Sequence, residues 1–152
     1  MTFSYYPGCT LKTKAKELDR KGRAAMAALG ITLEELPEWQ CCGGVFTTAN
    51  NEIATKLSSV RALKEANEKG QPLVTVCSAC HNVIKQTNHA VQTNKAFADK
   101  VNRYMGADGG YNGECEVYHY LEMLRDLVGF DKIRESLTVR LFAASGALDK
   151  AR

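Results

Sequence analysis

With 152 residues, 45% of them hydrophobic and 24% charged, the chain has room for one globular domain with a real core, and this excludes disorder and low complexity. The net charge of +3 is scattered, with no block of five or more like charges, which argues against a nucleic-acid tract. Met1-Thr2-Phe3-Ser4-Tyr5 has neither a basic nor an apolar leader region, and no apolar run reaches the roughly 18 residues of a membrane span, so the cytoplasm is the expected compartment.

Phe3 to Tyr6 is short, aromatic and β-prone, and Pro7-Gly8 breaks it, which predicts a strand ending in a turn that carries Cys9. From Thr13 to Leu29, Ala15, Leu18, Ala24, Ala25, Ala28 and Leu29 recur at helical intervals, and Gly30 supplies a stop. Ile31 to Pro37 alternates as a short strand and leads through Trp39 to Cys41-Cys42-Gly43-Gly44. A helix over Asn51–Gly70 follows, striped by Ile53, Ala54, Leu57, Val60, Leu63 and Ala66, with several candidate N-caps between Thr48 and Asn51. Leu73-Val74-Thr75-Val76 is the most β-prone and apolar run and predicts a central, fully buried strand that stops at Cys77.

Helices are expected from Ser78 to Thr87 and from Lys95 to Met105, then a turn-rich loop from Ala107 to Gly113. Glu116 to Tyr120 begins as a fourth strand before a helix from Leu121 to Gly129. Leu137 to Ala143 reads as one more strand, followed by a tail to Arg152. The alternation predicts an α/β domain, a small and mostly parallel sheet flanked by helices, with the cysteine turns at the carboxyl ends of the strands.

Cys9, Cys41, Cys42, Cys77 and Cys80 are spaced as C, 31 residues, CC, 34 residues, CxxC. In a reducing compartment such spacing points to metal or redox chemistry more than to structural disulfides. Thiolates are soft ligands that prefer zinc, copper(I) and iron-sulfur clusters, and five exceed what one tetrahedral zinc can use. An adjacent pair can grip two metals of a cluster, Gly43-Gly44 lets backbone approach a bulky group, and a CxxC turns both sulfurs inward. A zinc site using four thiols, buried thiols that bind no metal, and a thioredoxin-like Cys77/Cys80 dithiol are the alternatives. Cys115, between Glu114 and Glu116, lies outside the pattern, and the acids raise its pKa. His89 is expected to face solvent, whereas Trp39, Tyr5, Tyr6 and Phe46 serve either as core or as a cover over the thiols.

The single cysteine after Pro7-Gly8, the Cys41-Cys42-Gly43 triplet and the Cys77-to-Cys80 motif are similar to the cysteine-rich CCG domain of the heterodisulfide reductase B-type subunits. Trp39-Gln40-Cys41-Cys42-Gly43, Leu73 to Asn82 and Val117-Tyr118-His119-Tyr120-Leu121-Glu122 carry the resemblance further. It covers about residues 3–136, with 137–152 a final strand and tail where a second repeat would start. The resemblance implies a non-cubane 4Fe-4S iron-sulfur cluster on Cys9, Cys41, Cys42, Cys77 and Cys80. It also implies electron transfer to a disulfide substrate, as part of a disulfide oxidoreductase, with flavin and ferredoxin-like subunits as partners. His81 would then donate a hydrogen bond to a cluster sulfur or a proton to a departing thiolate, the plain alternative being a surface residue at a helix start. His119 is expected in the core or behind the ligands. Left open are the substrate disulfide, a zinc-stabilised or metal-free interaction module in place of a redox domain, and whether two chains pair as a homodimer.

Overall fold

The apolar run at Leu73 becomes an interior strand, Leu73–Thr75, buried at all three residues as a strand covered on both faces must be. The computed structural model describes residues 1–44 and 52–145, and the side chains of these except at 52, 54 and 138–145. In chain order they form β1 (Thr2–Tyr5), α1 (Gly8–Thr13), α2 (Lys16–Ala28), β2 (Thr32–Glu35), α3 (Glu52–Glu68), β3 (Leu73–Thr75), α4 (Ser78–Thr93), α5 (Lys95–Met105) and a 3-10 turn at Gly106–Asp108. Then come β4 (Val117–His119), α6 (Tyr120–Met123), a π-helical turn at Leu124–Val128 and α7 (Phe130–Ser145). Phe46, the candidate N-caps from Thr48 to Asn51 and the tail from Gly146 lie outside the described residues.

The strands are all parallel, in the order β2-β1-β3-β4, with Tyr5 opposite Glu35 and Val74, and Thr75 opposite His119. This is the expected α/β sheet. Side chains alternate across it. Phe3 and Val74 meet Met26, Leu29, Ile31 and Met123 on one face, while Tyr6 and Leu73 meet Leu63, Ile84, Val101 and Tyr111 on the other.

Three expectations need correction. First, Cys9 sits not in a turn but in a short helix, α1, and the helix expected over 13–29 forms as α2 from Lys16, after the chain turns at Lys14 and Ala15, where both backbone N–H groups bond the Thr10 carbonyl. Within α2 Leu18 is exposed while Met26 fills the core. Second, α4 continues to Thr93. Third, Leu137 to Ala143 is not a strand but the second half of α7. The run continues the helix that starts at Phe130 and, among the described residues, pairs with no strand of the sheet, so its β-propensity finds no ladder to join, while Ile133 and Leu137 line an apolar pocket with Ala24, Ala25, Ala28 and Leu29.

Candidate functional site

The strand order winds outward both ways from β1 and β3, and in open parallel sheets ligands bind in the crevice outside the carboxyl ends at such a point. Cys9 stands in the first turn of α1 just beyond β1. Cys77 caps α4 just beyond β3, Cys80 lies within the first turn of α4, and the coil after β2 brings in Cys41-Cys42.

The sulfurs meet as two neighbouring pairs. Cys9 Sγ and Cys41 Sγ are 3.8 Å apart on the exposed side, and Cys42 Sγ and Cys80 Sγ share a hydrogen bond across 3.4 Å in the interior. Cys77 adjoins Cys80 through a further hydrogen bond. Among the described residues, no three His, Cys, Asp or Glu side chains close round one point as ligands of a single ion.

Gly8 makes this approach feasible in two ways. Its φ of +75° suits glycine, and a Cβ there would stand 2.8 Å from Cys80 Sγ. Tyr6 lies beneath the sulfurs, donates its hydroxyl to the Gln40 carbonyl and packs edge-on against Trp39. Burial, then the charges of Cys42, Cys80, Cys41 and Cys9, push its phenol far up, so it stays protonated.

Glu35, at the end of β2, joins the elements that carry the outer pair. It accepts from Lys12 of α1 at 2.6 Å, from Arg23 of α2 and from Trp39 Nε1 at 3.0 Å. Burial pushes the Glu35 carboxyl up, but these donors outweigh it and hold the group below the ordinary carboxylate value. Ser58 of α3 adds a hydrogen bond to the Cys41 carbonyl at 3.0 Å.

The thiols differ in acidity. The hydrogen bond with Cys80 draws Cys42 down to about 6 against the effect of burial, with backbone N–H groups and Cys41 assisting. The same bond, burial and the charge of Cys42 push Cys80 strongly up. Gly43 N–H pulls Cys41 down, yet burial, Cys9 and Cys42 leave it above the ordinary thiol value. A Cys42 thiolate is thus ready as a soft anionic donor near neutral pH, at a crevice where the positive end of α4 favours negative charge.

His81 is half-buried, 5.4 Å from His119 between ring centres, with Nε2 3.1 Å from Glu122 Oε2. That contact is an ion-pair distance without hydrogen-bond alignment. Burial lowers the His81 pKa, the Glu122 charge opposing it. Glu122 also accepts from the backbone N–H of His119 at 2.9 Å, and Lys85 reaches it at 3.2 Å, so one carboxylate ties α4 to the start of α6. His119 caps α6, accepting at Nδ1 from Leu121 N–H, while its Nε2 faces the Val76 carbonyl at 3.1 Å. His89 is exposed, as expected.

Cys115 stands apart. It precedes β4, at the amino end of the sheet, and its thiol is pushed up to about 11, first by burial and only then by Glu116 and Glu114. Sequence reading missed Gly8, Glu35 and Glu122 as parts of the site. Only Glu122 carried a local signal, its position three residues after the capping His119.

The donor set fits a thiolate-bound group larger than one ion. Two thiolates on one tetrahedral metal with bonds of about 2.3 Å stand about 3.8 Å apart, which matches the Cys9–Cys41 separation, and five donors outnumber the places round one such ion. Such a fold and site define an α/β domain with a thiol-lined crevice at the carboxyl edge of its sheet. Residues 3–85 match the model of the CCG family, described as a cysteine-rich domain, and the chain belongs to that family.

The chain is 29% identical over 123 residues to the 8-methylmenaquinol:fumarate reductase membrane anchor subunit of Wolinella succinogenes, covering 80% of this chain and 43% of that protein. It is 28% identical over 141 residues to a protein of Archaeoglobus profundus described as like the B subunit of heterodisulfide reductase, covering 91% and 47%. To the B subunit of the ferredoxin/F(420)H(2)-dependent CoB-CoM heterodisulfide reductase of Methanosarcina acetivorans it is 24% identical over 143 residues, again covering 91% and 47%. The chain spans about half the length of these curated relatives. Among the described residues, no helix is long and apolar enough to cross a membrane.

Proposed function

We propose that the chain is an iron-sulfur electron-transfer domain that takes part in reducing a disulfide substrate within a larger complex in the cytoplasm. The observation that carries the reading is the pairing of four sulfurs, Cys9 with Cys41 and Cys42 with Cys80, beside Cys77 at the sheet's switch point. Cys9, Cys41, Cys42, Cys77 and Cys80 would hold the group, a non-cubane 4Fe-4S cluster by resemblance. When bound, it supplies electrons one at a time to a reaction that needs two.

The chain's own residues do the rest. Buried Cys42 and Cys80 anchor the group on the inner side, while exposed Cys9 leaves the outer side open to a substrate or partner. Tyr6, its hydroxyl already committed to Gln40, walls the floor against water. His81, which directly follows Cys80 and has its Nε2 3.1 Å from Glu122, is assigned the proton for the released thiolate. Electrons would arrive from flavin and ferredoxin-like partner subunits. A second unit of this kind, in the same polypeptide or in another copy of the chain, would complete the assembly, since the relatives are about twice as long.

The test is anaerobic reconstitution with iron and sulfide, followed by visible spectroscopy. A broad visible absorption that bleaches on reduction, kept by Cys115→Ala and lost in Cys42→Ser, is the expected result. Reconstituted protein that stays colourless would refute the proposal.

A further inference from the structure

The crevice holds chemistry that needs no metal and does not depend on the iron-sulfur reading. We propose that the metal-free chain is a dithiol–disulfide couple that takes up oxidation as two specific disulfides, Cys9–Cys41 and Cys42–Cys80, and so closes the cysteine set to metal.

A disulfide has its sulfurs about 2.05 Å apart. From the separations here, 3.8 Å and 3.4 Å, the outer pair must close by about 1.7 Å and the inner by about 1.3 Å, within reach of side-chain rotation and small shifts of a coil. Cys41 and Cys42 lie in that coil, not in a helix or strand, so they can yield toward partners on α1 and α4. They are poorly placed to form a disulfide with each other. Although their side chains share a hydrogen bond, neighbouring Cα atoms stand about 3.8 Å apart, short of the roughly 4.4–6.8 Å that a disulfide spans, and each sulfur also has a partner on a helix, Cys9 or Cys80. Cys77, at the head of α4, also hydrogen-bonds Cys80 and competes with Cys42 for it, but Cys42 is the one buried with Cys80 while Cys77 is half-buried, and Cys115 is at the other end of the sheet.

Exposure separates the two pairs by the oxidant each can meet. Cys9 is exposed and Cys41 half-buried, whereas Cys42 and Cys80 keep 5% and 4% of their surface. At the outer pair, the Cys9 thiolate attacks one sulfur of a small disulfide and expels one thiol. Cys41 then attacks the Cys9 sulfur and expels the second, so two protein thiols are oxidised and one disulfide is reduced to two thiols. The inner pair excludes a molecule of that size but admits a peroxide. One thiolate takes the peroxide oxygen to become a sulfenic acid with loss of water, and its partner condenses with it, losing a second water.

The full chain, reduced and stripped of metal with a chelator, is treated with oxidised glutathione or with hydrogen peroxide, and the remaining thiols are alkylated. Tryptic cleavage leaves Cys9, the Cys41-Cys42 pair and Cys77 with Cys80 on separate peptides for mass spectrometry. Oxidised glutathione should lower the free thiols from six to about four and join the Cys9 peptide to the Cys41-Cys42 peptide. Peroxide should leave about two, Cys77 and Cys115, with all three peptides joined. Cys42→Ser should keep the outer link and Cys41→Ser the inner one, and the wild-type maps carry the test if either variant fails to fold. Cadmium uptake by the peroxide-treated chain should fall at least about tenfold and return on reduction. A Cys77–Cys80 or Cys41–Cys42 disulfide, six thiols that all alkylate, or unchanged cadmium uptake would overturn the proposal.

Discussion

Replacing Gly8 by alanine tests whether the chain entering α1 is shaped to admit the Cys80 sulfur. Two costs add. A φ of +75° is unfavourable for a residue with a Cβ by about 1–2 kcal/mol. The new Cβ would stand 2.8 Å from Cys80 Sγ, which cannot recede freely because Cys42 Sγ lies 3.4 Å away, and overpacking of this kind costs about 1–3 kcal/mol. The expected loss is therefore about 2–5 kcal/mol. Gly30 is the control. It has nearly the same φ, +76°, at the end of α2, with nothing within 4 Å of an added Cβ, so Gly30→Ala should show only the backbone cost of about 1–2 kcal/mol. Urea unfolding of reduced, metal-free protein reads both. At a slope of about 2 kcal/mol per molar, Gly8→Ala should lower the midpoint by roughly 1–2.5 M, more than Gly30→Ala does. Equal losses for the two variants would show that Cys80 does not pack against Gly8 and would refute the reasoning.

Three further predictions follow from the same geometry. Cys42→Ser removes the inner pair's most acidic thiol and should lose most bound iron after reconstitution, which iron analysis against a Cys115→Ala control would measure. Glu35→Gln should destabilise the reduced apo-chain by about 1–3 kcal/mol at pH 7. Because the Glu35 carboxyl is held below its ordinary value, its contribution is present above that value and lost as pH falls through the folded one, so parent and variant should converge in acid; an equal gap at pH 7 and pH 3 would contradict this. Tyr111→Phe removes a buried hydroxyl that donates to Asn88 at 2.6 Å and accepts from Cys115 N–H at 3.3 Å, so urea unfolding should register a loss of about 1–3 kcal/mol.

What sequence could reveal here was whatever short-range chemistry encodes. Three cysteine groups, each beyond a strand signal, are legible because turns, strands and thiols are local features, and the sheet places them at one edge. Gly8 read as a chain breaker, but its second role depends on Cys80, 72 residues away in sequence, which no local pattern encodes. Glu35 looks like a strand residue until the fold brings Lys12, Arg23 and Trp39 to it. The second half of α7 misled because Val139 and its neighbours favour strands, whereas the run continues the helix begun at Phe130 and, among the described residues, meets no strand to pair with. Which sulfur meets which was likewise beyond spacing alone, since the adjacent Cys41 and Cys42 turn to partners on different helices.

The central claim is that the crevice holds an iron-sulfur cluster, and metal and sulfide content per chain tests it most directly. Protein purified without air and reconstituted with iron and sulfide should carry about four irons with matching acid-labile sulfide per chain. About one zinc per chain, with no sulfide even after reconstitution, would contradict the account and make the thiols a structural metal site.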